Sequence, residues 1–184
     1  MEFIEKIKYR IGHYMLEREE QTTRVKKISN FSEAKSIGIL YDATIVENHH
    51  IVREFVKQLR EEKKNVKALG YVDSKEARDF QVAKLEFDFF LKSDLNWYNM
   101  PGHHVVDNFC HEPYDILIDL TVNKTLPLLF VLNWSKAKCK VGSQKKSSDT
   151  FYDIMINIEK NTQLKYLIQQ VKHYLTIINT PRNA

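Results

Sequence analysis

Three aspartates stand where strands of an open α/β sheet would end. Asp42 follows Ile37–Tyr41, Asp73 follows Val66–Val72, and Asp119 sits near the close of Tyr114–Leu120. Carboxylates at the ends of neighbouring parallel strands converge on the crevice where such sheets place their ligands. Like charges at close range either raise the pKa of one partner, which suits acid–base catalysis, or recruit a divalent cation. Thr44, Thr121 and Asn123 lie close by in sequence and would add oxygen atoms for ligand binding. The competing reading is that these aspartates simply cap turns and helices, as Asp does after strands.

The other reactive side chains are less concentrated. His49 and His50 fall in the first turn of a helix, where adjacent residues point apart and cannot share one metal ion. His103 and His104 follow Pro101-Gly102 beside Trp97 and Tyr98; they and His111 are candidates for proton transfer, with His104 placed among the candidate catalytic residues. Cys110 and Cys139 form neither a CxxC pair nor a metal-ligand cluster, so buried reduced thiols are expected. No serine or cysteine has a base that the sequence pairs with it. Lys136, Lys138, Lys140, Lys145 and Lys146 form a basic patch, and the loop 142–149 adds Gly142 and three serines that could hold a phosphate. Lys138 and Lys140 would stripe one side of a strand. Nucleic acid would want aromatic residues interleaved with them, and only Phe151 and Tyr152 lie near.

These residues need strands to position them. Ile116, Leu117, Ile118 and Leu120 form a nearly unbroken apolar run, the pattern of a parallel strand covered on both faces. Tyr114–Gly142 then reads as strand, helix and strand, with Thr125 or Asn123 capping the helix and Pro127 in its first turn. Ser36–Ala43 gives another strand. Thr44 and Glu47 have the spacing of a capping box before a helix striped by Ile51, Val52, Phe55, Val56 and Leu59, with Asn65 as its stop. Val66–Asp73 follows as a strand, which completes a crossover of ordinary length.

Ser74–Leu85 is either a helix or an irregular excursion, Phe87–Leu91 a short aromatic strand, and Val105–Cys110 a brief helix. Lys138–Gly142 is a strand. Phe151–Ile158 alternates as an edge strand with Tyr152, Ile154, Ile156 and Ile158 on one side. Leu164, Leu167, Ile168, Val171, Leu175 and Ile178 stripe a closing helix that Pro181 ends. Ahead of the sheet, Ile4, Ile7, Ile11 and Met15 mark a helix expected to pack against the domain or a second copy, followed by a polar linker carrying Arg24, Lys26 and Lys27. The expected fold is a three-layer, Rossmann-like α/β domain with a mainly parallel sheet over 36–184, and residues 1–35 as an added N-terminal helix and basic linker. Ile37–Asp42, Lys67–Val72 and Asp115–Leu120 are expected to be adjacent and parallel.

Composition fits one ordinary domain: 184 residues, 43% hydrophobic and 28% charged, with a net charge of +4 that hints at an anionic partner. The longest apolar run, Leu126–Leu132, contains a proline and is far too short to span a bilayer. Glu2, Glu5, Glu17, Glu19 and Glu20 suit neither a secretory leader nor a membrane-surface helix. A cytoplasmic protein with no membrane association is expected.

Over Ser36–Ile158, through Gly70-Tyr71-Val72-Asp73, Leu95-Asn96-Trp97, Tyr114–Leu120 and Lys136–Gly142, the chain resembles a family of uncharacterised bacterial proteins classed only as a domain of unknown function. That resemblance implies no activity. Tyr114–Gly142 is also similar to the acceptor-side half of lipopolysaccharide heptosyltransferases, in its Tyr-Asp-hydrophobic-Ile-Asp-Leu strand, apolar helix and Ala-Lys-x-x-x-Gly ending. This second resemblance implies a sugar or phosphate substrate. Those enzymes carry a glycine in the loop after their first strand and bind the nucleotide sugar with a second Rossmann-like domain; Asp42-Ala43-Thr44 has no glycine, and no length is left for that domain.

The leading reading is therefore a non-catalytic or degenerate domain binding a protein partner or a small anionic ligand. The alternatives are an enzyme working at Asp42, Asp73 and Asp119, and an RNA- or ribosome-associated module using the lysines.

Overall fold

A computed structural model describes residues 2–19, 22–76, 85–144, 149–159 and 161–178. Its centre is a parallel sheet in the order β3-β2-β1-β4-β5-β6. The strands are β1 (Ser36–Asp42), β2 (Asn65–Val72), β3 (Phe87–Leu91), β4 (Ile116–Asp119), β5 (Cys139–Ser143) and β6 (Ile154–Ile156). The three strands expected to be neighbours are neighbours: Ile39 of β1 pairs with Ala68 of β2 on one side and Ile118 of β4 on the other. Strand order reverses between β1 and β4, the switch point at which open α/β sheets bind ligands.

Strand alternation divides the interior into two apolar layers. Ile37, Ile39, Ala68, Ile116, Ile118 and Val141 face α2 (Val46–Glu61) and α5 (Leu164–Ile177). Leu40, Leu69, Phe90 and Leu117 face α3 (His104–His111) and α4 (Leu126–Trp134). This is the three-layer α/β arrangement that the apolar strands require.

The helix α4 is buried along nearly its whole length and on all sides. A helix that is apolar all round needs cover on both flanks. The sheet supplies one, and α1 (Glu2–Arg18) supplies the other, with Leu16 buried and Gly12 pressed so close that a β-carbon there would stand 2.1 Å from the Tyr98 carbonyl oxygen. The side of α1 turned inward is not the one the sequence suggested. Phe3, Ile4, Ile7, Tyr14 and Met15 are 75%, 58%, 41%, 54% and 38% exposed. Periodicity marks a helix and its apolar stripe, whereas the close approach at Gly12 selects the neighbouring side for packing, with Ile11 of the stripe half-buried at the border.

Residues 22–35 pass beneath the amino ends of the strands. Arg24 makes a bidentate ion pair with Asp153, at 2.8 and 2.9 Å, and donates to the carbonyls of Ala137 and Lys138. The Phe31 amide donates to Leu175, and the Asn30 side chain caps the end of α5 through the carbonyls of Thr176 and Ile178. Phe31 and Ala34 are buried against the sheet. This strap reaches β1 at Ser36.

Three local expectations are corrected. Thr44 and Glu47 form no capping box, because α2 starts at Val46 with Ile45 as its N-cap and no side-chain cap. Asn65 does not stop that helix; the chain turns at Lys63, whose φ is 61°, and Asn65 opens β2. Tyr152 does not share a side with Ile156 and Ile158, since it packs into the α3/α4 layer while they pack into the other. Most of the segment Ser74–Leu85 lies outside the described residues.

Candidate functional site

The end of β1 makes a compact hydrogen-bonded turn. Asp42 Oδ1 accepts from the Thr44 amide at 2.9 Å, and Asn48 donates to the Asp42 carbonyl. Thr44 Oγ1 in turn accepts from the Asp73 amide at 2.9 Å, which ties the ends of β1 and β2 together. Asp73 is half exposed and receives Lys92 Nζ at 2.8 Å and the Tyr71 hydroxyl at 3.3 Å. The bond to Asp73 lifts the Lys92 pKa, so its ammonium is held charged; burial, then Asp73, raises that of Tyr71, which stays a neutral donor.

Asp119 belongs to a different environment. It is 2% exposed and level with Leu40, two residues inside the edge at which Asp42 sits. Its Oδ1 accepts from both the amide and the hydroxyl of Thr121, at 2.8 and 2.6 Å, and its Oδ2 accepts from the Tyr152 hydroxyl at 2.5 Å. Burial and the facing carboxylate push the Tyr152 pKa far up, so the phenol remains a donor. The Tyr152 ring lies flat on Gly142, where a β-carbon would stand 2.4 Å from Cε1. Ser143 donates to the Thr121 carbonyl and closes this group.

The fold thus brings Asp42, Thr44 and Asp73 together at the strand ends and sets Asp119 with Thr121 beneath them. Each carboxylate already receives protein donors. Among the described residues, no group of three His, Cys, Asp or Glu side chains is placed to hold a metal ion. The Asn123 carbonyl accepts from Thr125 at 3.4 Å in the turn before α4. His104 opens α3, with His103 as its N-cap; His111 Nδ1 lies 2.8 Å from the Asp107 carbonyl at the other end of that helix. Tyr152 and Lys92 are the partners that sequence reasoning missed. Their only sequence signal was an aromatic residue and a lysine near strand ends, which is common in any such fold.

The basic residues are also distributed unequally. Lys136 is exposed, and Lys138 binds Asp115 at 2.8 Å. Lys140 points inward from β5 and is 4% exposed, its Nζ donating to the Leu132 carbonyl at 2.5 Å at the end of α4. Burial, reinforced by Arg24, lowers its pKa to about 7. Lys145 and Lys146 lie outside the described residues. Cys110 and Cys139 are buried free thiols, with pKa values pushed up by burial to about 12 and about 11. Thiols so far from ionisation are poor nucleophiles. No helix among the described residues is long and apolar enough to cross a membrane.

Compared with known proteins, the chain matches the model of a family of unknown function (DUF6913) over residues 8–178. No curated protein and no solved structure matches the chain, and the likeness of Tyr114–Gly142 to heptosyltransferases has no support from either comparison.

Proposed function

The chain belongs to this family of unknown function, and from its geometry we propose that it is a non-catalytic Rossmann-like domain that works by binding protein through the outward face of α1. The observation that carries this reading is the exposed row of Phe3, Ile4, Ile7, Tyr14 and Met15. A contiguous apolar patch on a surface marks an interaction site. Asp42, Asp73 and Asp119 each already accept hydrogen bonds from the protein, which supports binding over catalysis.

The occupant is a second copy of the chain. An antiparallel pair of α1 helices centred on Ile11 sets Ile7 of one copy opposite Met15 of the other. The two-fold axis makes the contact self-complementary, with the same apolar row on both sides. The helix is about 25 Å long, so the contact falls at the weak, reversible end of interface sizes.

Sedimentation velocity on the intact chain tests this. A monomer–dimer equilibrium is expected in the micromolar range, abolished by Ile7→Glu. Met15→Glu should abolish it likewise, whereas Lys6→Glu, on the far side of the helix, should leave it unchanged. A wild type that stays monomeric at about 100 μM, well above such a constant, removes the proposal.

A second reading rests on the switch point. Thr44, Thr121 and Lys92, the last two already bonded to Asp119 and Asp73, stand near the strand ends, and it is the switch-point topology that supports a small anionic ligand there. Chemical-shift changes at Thr44 and Thr121 on titration with inorganic phosphate would support it; an unchanged spectrum removes it.

A further inference from the structure

A cavity of about 540 Å³ opens at the opposite, amino-terminal edge of the sheet. Its walls come from β2 and β3 through Lys67 and Asp88, and from the end of α3 through Phe109, His111, Glu112 and Tyr114. The register explains the convergence. Lys67 and Gly38 are paired across β2 and β1, and both alternate to the α3 side of the sheet. The Tyr114 ring lies across Gly38, where a β-carbon would stand 2.8 Å from Cδ2. Only glycine allows the ring to reach over β1 toward β2.

Tyr114 is 5% exposed, and its hydroxyl is buried without a hydrogen-bond partner. A buried hydroxyl without a partner costs about 1–3 kcal/mol, so a group that supplies one would be recognised. The charge around it states which kind. Lys67 is already neutralised by Asp88 at 2.7 Å. Glu112 caps the carboxyl end of α3, whose last carbonyls carry the negative end of the helix dipole. Burial raises the Tyr114 pKa, and Glu112 and Asp88 raise it further, which means both carboxylates project negative potential onto the hydroxyl.

We propose that this cavity binds a small organic cation, an alkylammonium or guanidinium group, which donates to the Tyr114 oxygen and pairs with Glu112. The Phe109 and Tyr114 rings, 5.0 Å apart between centroids, line the apolar part of the site for the ligand's methylenes. This site is separate from α1 and does not depend on the docking proposed there.

Titration of the intact chain with agmatine, which carries both cationic groups, tests the proposal by NMR; 1,4-butanediol serves as the uncharged control. Saturable shifts at Tyr114 and Glu112 are expected with a dissociation constant below about 1 mM, and none with the diol. Glu112→Gln, an exposed substitution, should weaken agmatine at least about tenfold. Tyr114→Phe should weaken it severalfold while leaving the melting temperature equal or higher, because it removes an unsatisfied hydroxyl. The proposal is overturned if agmatine causes no shift up to about 10 mM, if the diol binds equally, or if Glu112→Gln binds as tightly as wild type.

Discussion

Replacing Lys140 with methionine should change how stability depends on pH. The side chain is buried, and its pKa falls from 10.5 to about 7 in the folded protein. Below pH 7 the amine is protonated both folded and unfolded, and it contributes no slope. Between pH 7 and 10.5 the unfolded chain holds a proton that the folded chain has released, so stability rises with pH, by at most about 1.36 kcal/mol per unit. From pH 7 to 9 the wild type should gain about 2 kcal/mol from this residue alone. At about 2–4 °C per kcal/mol for a chain of this size, the melting temperature should rise by about 4–8 °C.

Lys140→Met lacks the titrating group but keeps the other ionisable residues. The difference between wild type and variant therefore isolates Lys140. The absolute gap mixes the relief of a buried charge with the loss of bonds to the Leu132 and Asn133 carbonyls. Its slope reports the proton alone. The assay is a series of melting curves from pH 6 to 9.5 on both proteins. A gap that stays constant across that range would refute a depressed pKa at Lys140.

Other expectations concern Asp119 and its surroundings. Tyr152→Phe removes the donor to Asp119 Oδ2 and should cost about 1–3 kcal/mol; an unchanged urea midpoint would contradict it. Gly142→Ala drives a β-carbon into the Tyr152 ring and should also cost about 1–3 kcal/mol, with part of the loss recovered by adding Tyr152→Leu. Strict additivity of those two changes would show that the contact is not the cause. Magnesium or manganese should leave the wild-type melting temperature unchanged, since the strand-end carboxylates already hold protein donors; a rise of several degrees would reopen a metal site at Asp42 and Asp73.

The sheet was legible because a parallel strand buried on both faces must be apolar along its length, and Ile37–Tyr41 and Ile116–Leu120 show that run directly. The switch point was not legible, because chain order alone does not say that β4 returns to the free side of β1. What stayed hidden depends on contacts between distant residues. Thr44 and Glu47 have the spacing of a capping box, but the Thr44 hydroxyl is taken by the Asp73 amide, 29 residues away. The α1 stripe is genuine, yet periodicity does not say which side of a helix turns inward. The environment of Asp119 was invisible because its partner Tyr152 lies 33 residues on and read as an ordinary strand aromatic.

The strap beneath the sheet sets the order in which the molecule can assemble. Arg24 is matched to Asp153 across 129 residues, and the Asn30 side chain to Ile178 across 148. Closing loops of that size has a large entropic cost before any contact offsets it. On the ribosome, residues 22–35 emerge well before Asp153 and Ile178, their partners. The central β2-β1-β4 strands can pair before β6 and α5 exist, and the strap closes only once α5 has been made. During synthesis the amino edge of the sheet therefore stays uncovered until α5 is available, and the strap, made before the sheet, is fixed after it.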